Sequence, residues 1–194
     1  MQSRKIRSNY AITDNAGVVF MIGPKADLTG ADLRGMDLSY SDLAGATLSG
    51  ADLTCTDLSH SDFTAANFSP SKFAPATLDW AVMIGSNFEF ADLTRVSMVE
   101  AEAANASFFY ACFEGANLTG ADLTNADLSY AQLERADLRA AITTNAEFHN
   151  ATNFIGLTDE QWLRLGLLST EELDTFYAIL IEKQKYGRGF SDNS

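Results

Sequence analysis

Large apolar residues recur at every fifth position from Leu28, most of them preceded two places earlier by a small residue and flanked by polar ones. The frame runs without a slip from Ala26 to about Ile155, which makes 26 units in 130 residues. Of the 26 centres, 23 are Leu, Phe or Met, the exceptions being Ala103, Thr143 and Asn153. Two places before the centre stands Ala in 19 units and Ser in 4. Neither a helix nor a strand repeats every fifth residue, but a short extended piece closed by a corner does. In extended backbone the small residue and the centre, two apart, point to the same side. The next small residue comes three later, so the chain must turn between them. Four such corners close a square with one coil every 20 residues. Coils stacked at the spacing of neighbouring strands, about 4.8 Å, would form a rod about 31 Å long.

So thin a square has room for one large and one small side chain per side, and each unit depends on its stacked neighbours for burial. Coil assignment gives four columns of centres. The first runs Leu28, Leu48, Phe68, Phe88, Phe108, Leu128, Phe148, and the second Leu33, Leu53, Phe73, Leu93, Phe113, Leu133, Asn153. The third is Leu38, Leu58, Leu78, Met98, Leu118, Leu138, and the fourth Leu43, Phe63, Met83, Ala103, Leu123, Thr143. Aromatic centres thicken the middle, and Ala103 predicts an underfilled spot on the fourth face.

Units such as Ala26-Asp27-Leu28-Thr29-Gly30, Ala51-Asp52-Leu53 and Ala121-Asp122-Leu123-Thr124-Asn125 resemble the pentapeptide-repeat family, whose unit reads A(D/N)LXX, over about two-thirds of the chain. The resemblance implies an all-β solenoid, a right-handed quadrilateral parallel β-helix; the hand comes from the family and not from the spacing.

The expected organisation is an N-terminal arm with an opening or capping strand (1–25), the β-helix (26–155), and a C-terminal α-helical cap with a tail (156–194). Solenoid ends expose unpaired edges that need covering. Val18 to Ile22 reads as the opening strand after a turn-like stretch from Thr13 to Gly17. Ala16 and Val18 keep the repeat frame, so the first coil is expected to begin there. Arg4, Lys5, Arg7 and Lys25 against Asp14 make this segment basic, and a solvated or frayed terminus is the expected state. Beyond Gly156, two capping boxes, Thr158 to Gln161 and Ser169 to Glu172, predict helices at about 159–165 and 170–186. Leu173, Phe176, Tyr177 and Leu180 form an apolar stripe, with Ile179 and Ile181 off it. That second face packs either on another chain or under the first helix with Trp162, Leu163 and Leu165. The family includes dimers joined through their C-terminal ends, so the resemblance implies a possible homodimer through Trp162, Phe176, Ile179 and Ile181.

The chain of 194 residues carries 26 acidic and 13 basic side chains, a net charge of -13, which opposes direct binding to nucleic acid. No apolar run is long enough to span a membrane and no leader is evident, so a cytoplasmic protein is expected. Two cysteines are too few for a disulfide framework or a zinc site. Cys55 and Cys112 fall three coils apart, about 14 Å at the strand spacing, beyond disulfide reach. His60 and His149 lack a nucleophile and an orienting carboxylate, and a convex rod offers no dry pocket. No catalytic residue, cofactor or metal site is expected.

Eleven units place Asp directly before the centre, at 27, 32, 37, 42, 52, 57, 62, 92, 122, 127 and 137. Asp32 would stack on Asp52, Asp37 on Asp57 and Asp42 on Asp62; solvated side chains are the expected state. Two places after the centre, the first face reads Phe90, Tyr110, Tyr130, with Phe109 alongside, and the third reads Tyr40, His60, Trp80. These ladders either brace the corners or form a protein-binding patch. The candidate partner-binding residues are therefore Phe90, Phe109, Tyr110, Tyr130, Tyr40 and Trp80, with Asp32 and Asp52.

The leading functional expectation is a non-enzymatic scaffold that presents acidic and aromatic faces to a protein partner. The alternative is mimicry of DNA. Residues 26–155 hold 18 acidic and 5 basic side chains, and duplex DNA of about 31 Å carries about 18 charges. The resemblance supports this alternative, because the Qnr and mycobacterial fluoroquinolone-resistance types resemble DNA and bind type II topoisomerases such as DNA gyrase. The frame here has no insertion, so the longer loops of the Qnr type are missing.

Overall fold

The computed structural model describes residues 7–151. The chain divides into two compact units, Met1–Leu157 and Thr158–Ser194. The two predicted helices, with Trp162, Phe176, Ile179 and Ile181, lie outside the described residues, as do Arg4 and Lys5.

From Asp27 onward the backbone winds as a square coil whose residues pair with those 20 positions later. The first face carries the parallel bridges Asp27↔Thr47, Thr47↔Asn67, Asn67↔Asn87, Asn87↔Ser107, Ser107↔Asp127 and Asp127↔Glu147, and the other faces repeat the pattern. Each rung has two bonds: Leu28 N–H donates to the Thr47 carbonyl at 2.7 Å, and Thr47 N–H to the Ala26 carbonyl at 2.9 Å. No side of the square is longer than this one rung, because the corner follows at once.

The corner is a tight turn in which the next small residue closes back on the centre, as in Ala31 N–H to the Leu28 carbonyl at 3.1 Å. The residue two after the centre has positive φ, for example 72° at Gly50, 59° at Phe90 and 56° at Trp80, while the residue before it does not. That combination defines a type II turn, which demands a left-handed residue at its third position. No Val, Ile or Thr stands at any corner from 30 to 150, because a branched β-carbon clashes in that conformation. Proline cannot adopt positive φ, and the corners at Pro70 and Pro75 bend differently.

Centres and small residues fill the interior. Phe63, Phe68, Phe73, Phe88, Phe108 and Phe113 are fully buried, as is Ala103 on the fourth face. Phe88 stacks between Phe68 at 4.4 Å and Phe108 at 5.1 Å, one coil apart each way. Where a hydroxyl replaces the small Ala, it bonds a backbone carbonyl, from the second coil onward one of the preceding coil. Thr56 Oγ1 donates to Leu33 O at 2.8 Å, Ser71 Oγ to Leu48 O at 2.6 Å and Ser86 Oγ to Phe63 O at 2.7 Å. Among the described residues no buried side-chain polar atom lacks a partner.

The N-terminal end departs from expectation. Instead of a first coil beginning at Ala16, an antiparallel hairpin of β1 (Tyr10–Thr13) and β2 (Val19–Ile22) precedes the square. The apolar alternation of Tyr10 and Ile12 with Phe20 and Ile22 gives the two strands a shared inner face, which favours pairing back over coiling. Asp14 fixes the turn: its Oδ1 accepts from Ala16 N at 3.0 Å and Val18 N at 2.8 Å, and its Oδ2 from Asp32 N at 3.1 Å. The Asp32 amide thus finds an acceptor where the first coil has no coil before it. Arg7 is not frayed. Its backbone pairs with the coil at Ser41, and its guanidinium donates to Ser39 O at 2.6 Å and lies 3.8 Å from Asp37.

Candidate interaction surface

Within the described coils, the side chains open to solvent stand at three positions per unit: the residue before the centre, the one after it, and the corner. The residue before the centre is less solvated than expected. All eleven aspartates there accept a hydrogen bond from the backbone N–H two residues on, as Asp62 does from Thr64 at 2.9 Å and Asp127 from Ser129 at 2.8 Å. The short carboxylate serves an amide inside the turn that the ladder leaves unused. Asn67, Asn87 and Asn117 do the same at 3.1, 2.8 and 3.1 Å. Corner capping therefore needs the oxygen and not its charge.

Like charges do meet along the rod, since Asp32↔Asp52, Asp37↔Asp57 and Asp42↔Asp62 are bridge partners. Arg34 relieves the first pair, reaching Asp32 at 2.6 Å and Asp52 at 4.0 Å. Its guanidinium holds the Asp32 carboxyl well below the usual carboxylate range, and Arg139 lowers Asp137 likewise. Hydrogen bonds from the Thr29 hydroxyl and amide lower Asp27. Asp32 and Asp52, proposed from sequence as partner-binding, thus share a local cation.

The corners carry the aromatic ladders. Ring spacing follows coil spacing: Phe90 and Tyr110 lie 5.6 Å apart and 7° from parallel, and Tyr110 and Tyr130 lie 4.8 Å apart at 9°. Phe109 meets all three edge-on, at 6.3, 4.7 and 5.5 Å. Phe90 is 57% exposed, Tyr110 44% and Tyr130 40%, whereas Phe109 is half-buried as their support. Tyr40, His60 and Trp80 stack at 4.7 and 5.0 Å on a different corner. The two groups stay apart, one in the first three coils and one in the next three. Ring faces are occupied by one another, so the first ladder offers ring edges and two phenol hydroxyls.

A third ladder escaped the sequence reading. Asn145 Nδ2 donates to Asn125 Oδ1 at 3.1 Å, and Asn125 Nδ2 to Asn105 Oδ1 at 3.2 Å. The signal was the recurrence of Asn every 20 residues at a corner, where Asn tolerates positive φ. Among the described residues no group of His, Cys, Asp and Glu is placed to hold a metal ion, Cys55 and Cys112 are free, and no helix is long and apolar enough to cross a membrane.

The coil, its corners and its capping Asp or Asn define a class, and comparison with known families agrees. The pentapeptide repeats pattern matches at residues 26–64, 61–98 and 104–139, together more than half of the chain. The chain belongs to the pentapeptide-repeat family, whose members adopt a right-handed quadrilateral β-helix. Among solved structures it is similar to HetL, a pentapeptide repeat protein involved in heterocyst differentiation regulation from the cyanobacterium Nostoc sp. strain PCC 7120, at 28% identity over 66% of this chain and 70% of that one, with a TM-score of 0.36. A pentapeptide repeat protein of the Arabidopsis thaliana thylakoid lumen matches at 27% identity over 70% and 78%, TM-score 0.37. QnrB1, a plasmid-mediated fluoroquinolone resistance protein, matches at 17% identity over 87% and 96%, TM-score 0.37. No curated protein matches the chain.

Proposed function

We propose that the protein is a non-enzymatic interaction scaffold and that the corner formed by Phe90, Phe109, Tyr110 and Tyr130 receives a protein partner. The observation that carries this reading is the exposure of three stacked rings in a row, contiguous apolar surface of a kind enriched at interfaces. A convex surface over an interior closed by apolar side chains and hydrogen-bonded hydroxyls suits recognition. Two free cysteines, one of them exposed, suit a reducing compartment such as the cytoplasm. Pairing of two chains through their C-terminal ends is compatible with this use of the rod.

Replacing Phe90 and Tyr110 together with Ser tests the reading. Stacking contacts are lost, about 1–2 kcal/mol in all, so the thermal midpoint should fall modestly while capture of the partner is abolished. A collapse of the fold with binding preserved in mildly destabilising conditions would make the ladder a brace instead.

A second reading rests on the capping arithmetic. Because Asn67, Asn87 and Asn117 cap corners as well as the aspartates do, the surplus charge is not a requirement of the turn. This favours a surface that imitates nucleic acid, for which a type II topoisomerase such as DNA gyrase is the proposed target. Changing Asp27, Asp57, Asp62, Asp122 and Asp127 to Asn should alter stability by no more than about 0.5 kcal/mol per site. Under the mimic reading the parent protein modulates gyrase supercoiling and the neutralised variant does not. Absence of any effect of the parent at roughly ten times the enzyme concentration would discard it.

A further inference from the structure

In the third coil the rod breaks its own surface rule. Val82 and Ile84 point outward where the coil before carries Asp62 and Thr64. Asp62↔Val82 and Val82↔Glu102 are bridge partners, so Val82 stands one strand spacing from a carboxylate on either side. Ile84 is 38% exposed, above the small Ala104. Two residues before Val82, at the adjoining corner, Trp80 is 50% exposed, with His60 and then Tyr40 stacked on one face of its ring. On the other side the corner column continues with Glu100, whose carboxylate lies against Gly120. Asp79 sits beside Trp80, its Oδ1 accepting from Ser97 Oγ at 2.6 Å and Val99 N at 2.9 Å.

These residues form one patch with an ordered composition. Trp80 leads a row of outward apolar side chains, Val82 and Ile84 following it along the next side of the coil, and the rim is Asp62, Asp79, Glu100 and Glu102. Trp at the centre with charge at the edge is the anatomy of a protein interface, where a buried aromatic anchor supplies most of the energy. The rim is of one sign. The basic residues of these three coils are Lys72 and Arg95; Lys72, bridging Asp52 and Asp92, lies on the side opposite Val82 and Ile84, and Arg95 stands at the corner that closes that side. An acidic rim repels a second copy meeting it face to face, and selects a surface whose apolar centre is ringed by Lys or Arg.

We propose that this Trp80-centred face is a second docking surface, for a protein segment that inserts apolar side chains beside Trp80, Val82 and Ile84 and sets basic side chains against the four carboxylates. The inference rests on the scaffold reading, but it uses a different corner from the Phe90 ladder and the two fail separately.

The test places a photo-crosslinking amino acid at position 84 of the full chain in the producing cell, with the same probe at position 72 on the opposite face and at position 110 on the ladder. Position 84 should yield an adduct that position 72 does not, and the crosslinked peptide should carry Lys or Arg beside apolar residues. The double variant Asp62→Lys, Glu102→Lys, checked for an unchanged thermal midpoint, should reduce the yield roughly tenfold or more. The proposal is overturned if position 84 gives no more adduct than position 72, if charge reversal leaves the yield unchanged, or if the adduct joins two copies of this chain. An adduct at 110 with none at 84 sinks this inference alone; none at either sinks the scaffold reading as well.

Discussion

Phe88→Ala is expected to destabilise the rod by about 3–5 kcal/mol, the range for deleting a buried aromatic ring. Phe88 is fully buried and touches rings on three sides, Phe68 at 4.4 Å, Phe108 at 5.1 Å and Phe73 at 5.6 Å. Coils contact only their neighbours, so the cavity lies between two groups of coils and the backbone rungs on either side cannot close over it. Stability in such an array is a sum of unit and interface terms. A weakened central interface should both lower the thermal midpoint, on the order of 10 °C, and broaden or split the transition. Circular dichroism melting of the two proteins checks this; a loss below about 1 kcal/mol would mean that the stacked phenylalanines do not hold the middle together.

The second large effect belongs to Asp14. It is nearly buried and its carboxylate serves three backbone amides, those of Ala16, Val18 and Asp32. Asp14→Ala leaves three donors without that acceptor, at a cost of about 2 kcal/mol or more. The consequence extends past stability, because the hairpin covers the first coil. Val18, Val19 and Met21 are already exposed on its outer side, and a loosened hairpin would uncover the edge beneath. The variant should therefore associate end to end, seen as a rise in light-scattering mass with concentration. Asp14→Asn, which keeps one acceptor oxygen, should restore most of the parent's scattering mass; equal association of both variants would show that the turn does not guard the end.

Much of the surface was legible without coordinates because the period leaves few choices. Once the frame is set, every residue has a face, a coil and an inward or outward sense, which is why the ladder Phe90, Tyr110, Tyr130 could be named from residue numbers alone. The role of the aspartates was not legible, since spacing reveals that Asp32 faces Asp52 but not that each carboxylate turns back onto an amide of its own corner. The ladder ending at Trp80 was legible in the same way, but its continuation over Val82 and Ile84 was not. Val82 and Ile84 look like ordinary apolar residues until the outward positions are compared coil by coil, and only then do they stand out against Asp62 and Glu102.

By itself the sequence determined the square coil, its register and its buried columns, because a period of 5 residues admits one arrangement that hides the Leu and Phe centres. Tertiary structure alone decided the N-terminal end. There the repeat frame and a hairpin both fit residues 10–22, and the hairpin wins because it pairs two short strands while its turn lends Asp14 to an amide that has no coil above it. Periodicity governs where each unit can rest on an equivalent neighbour; at an end that neighbour is missing, and the outcome depends on which local contacts satisfy the exposed backbone.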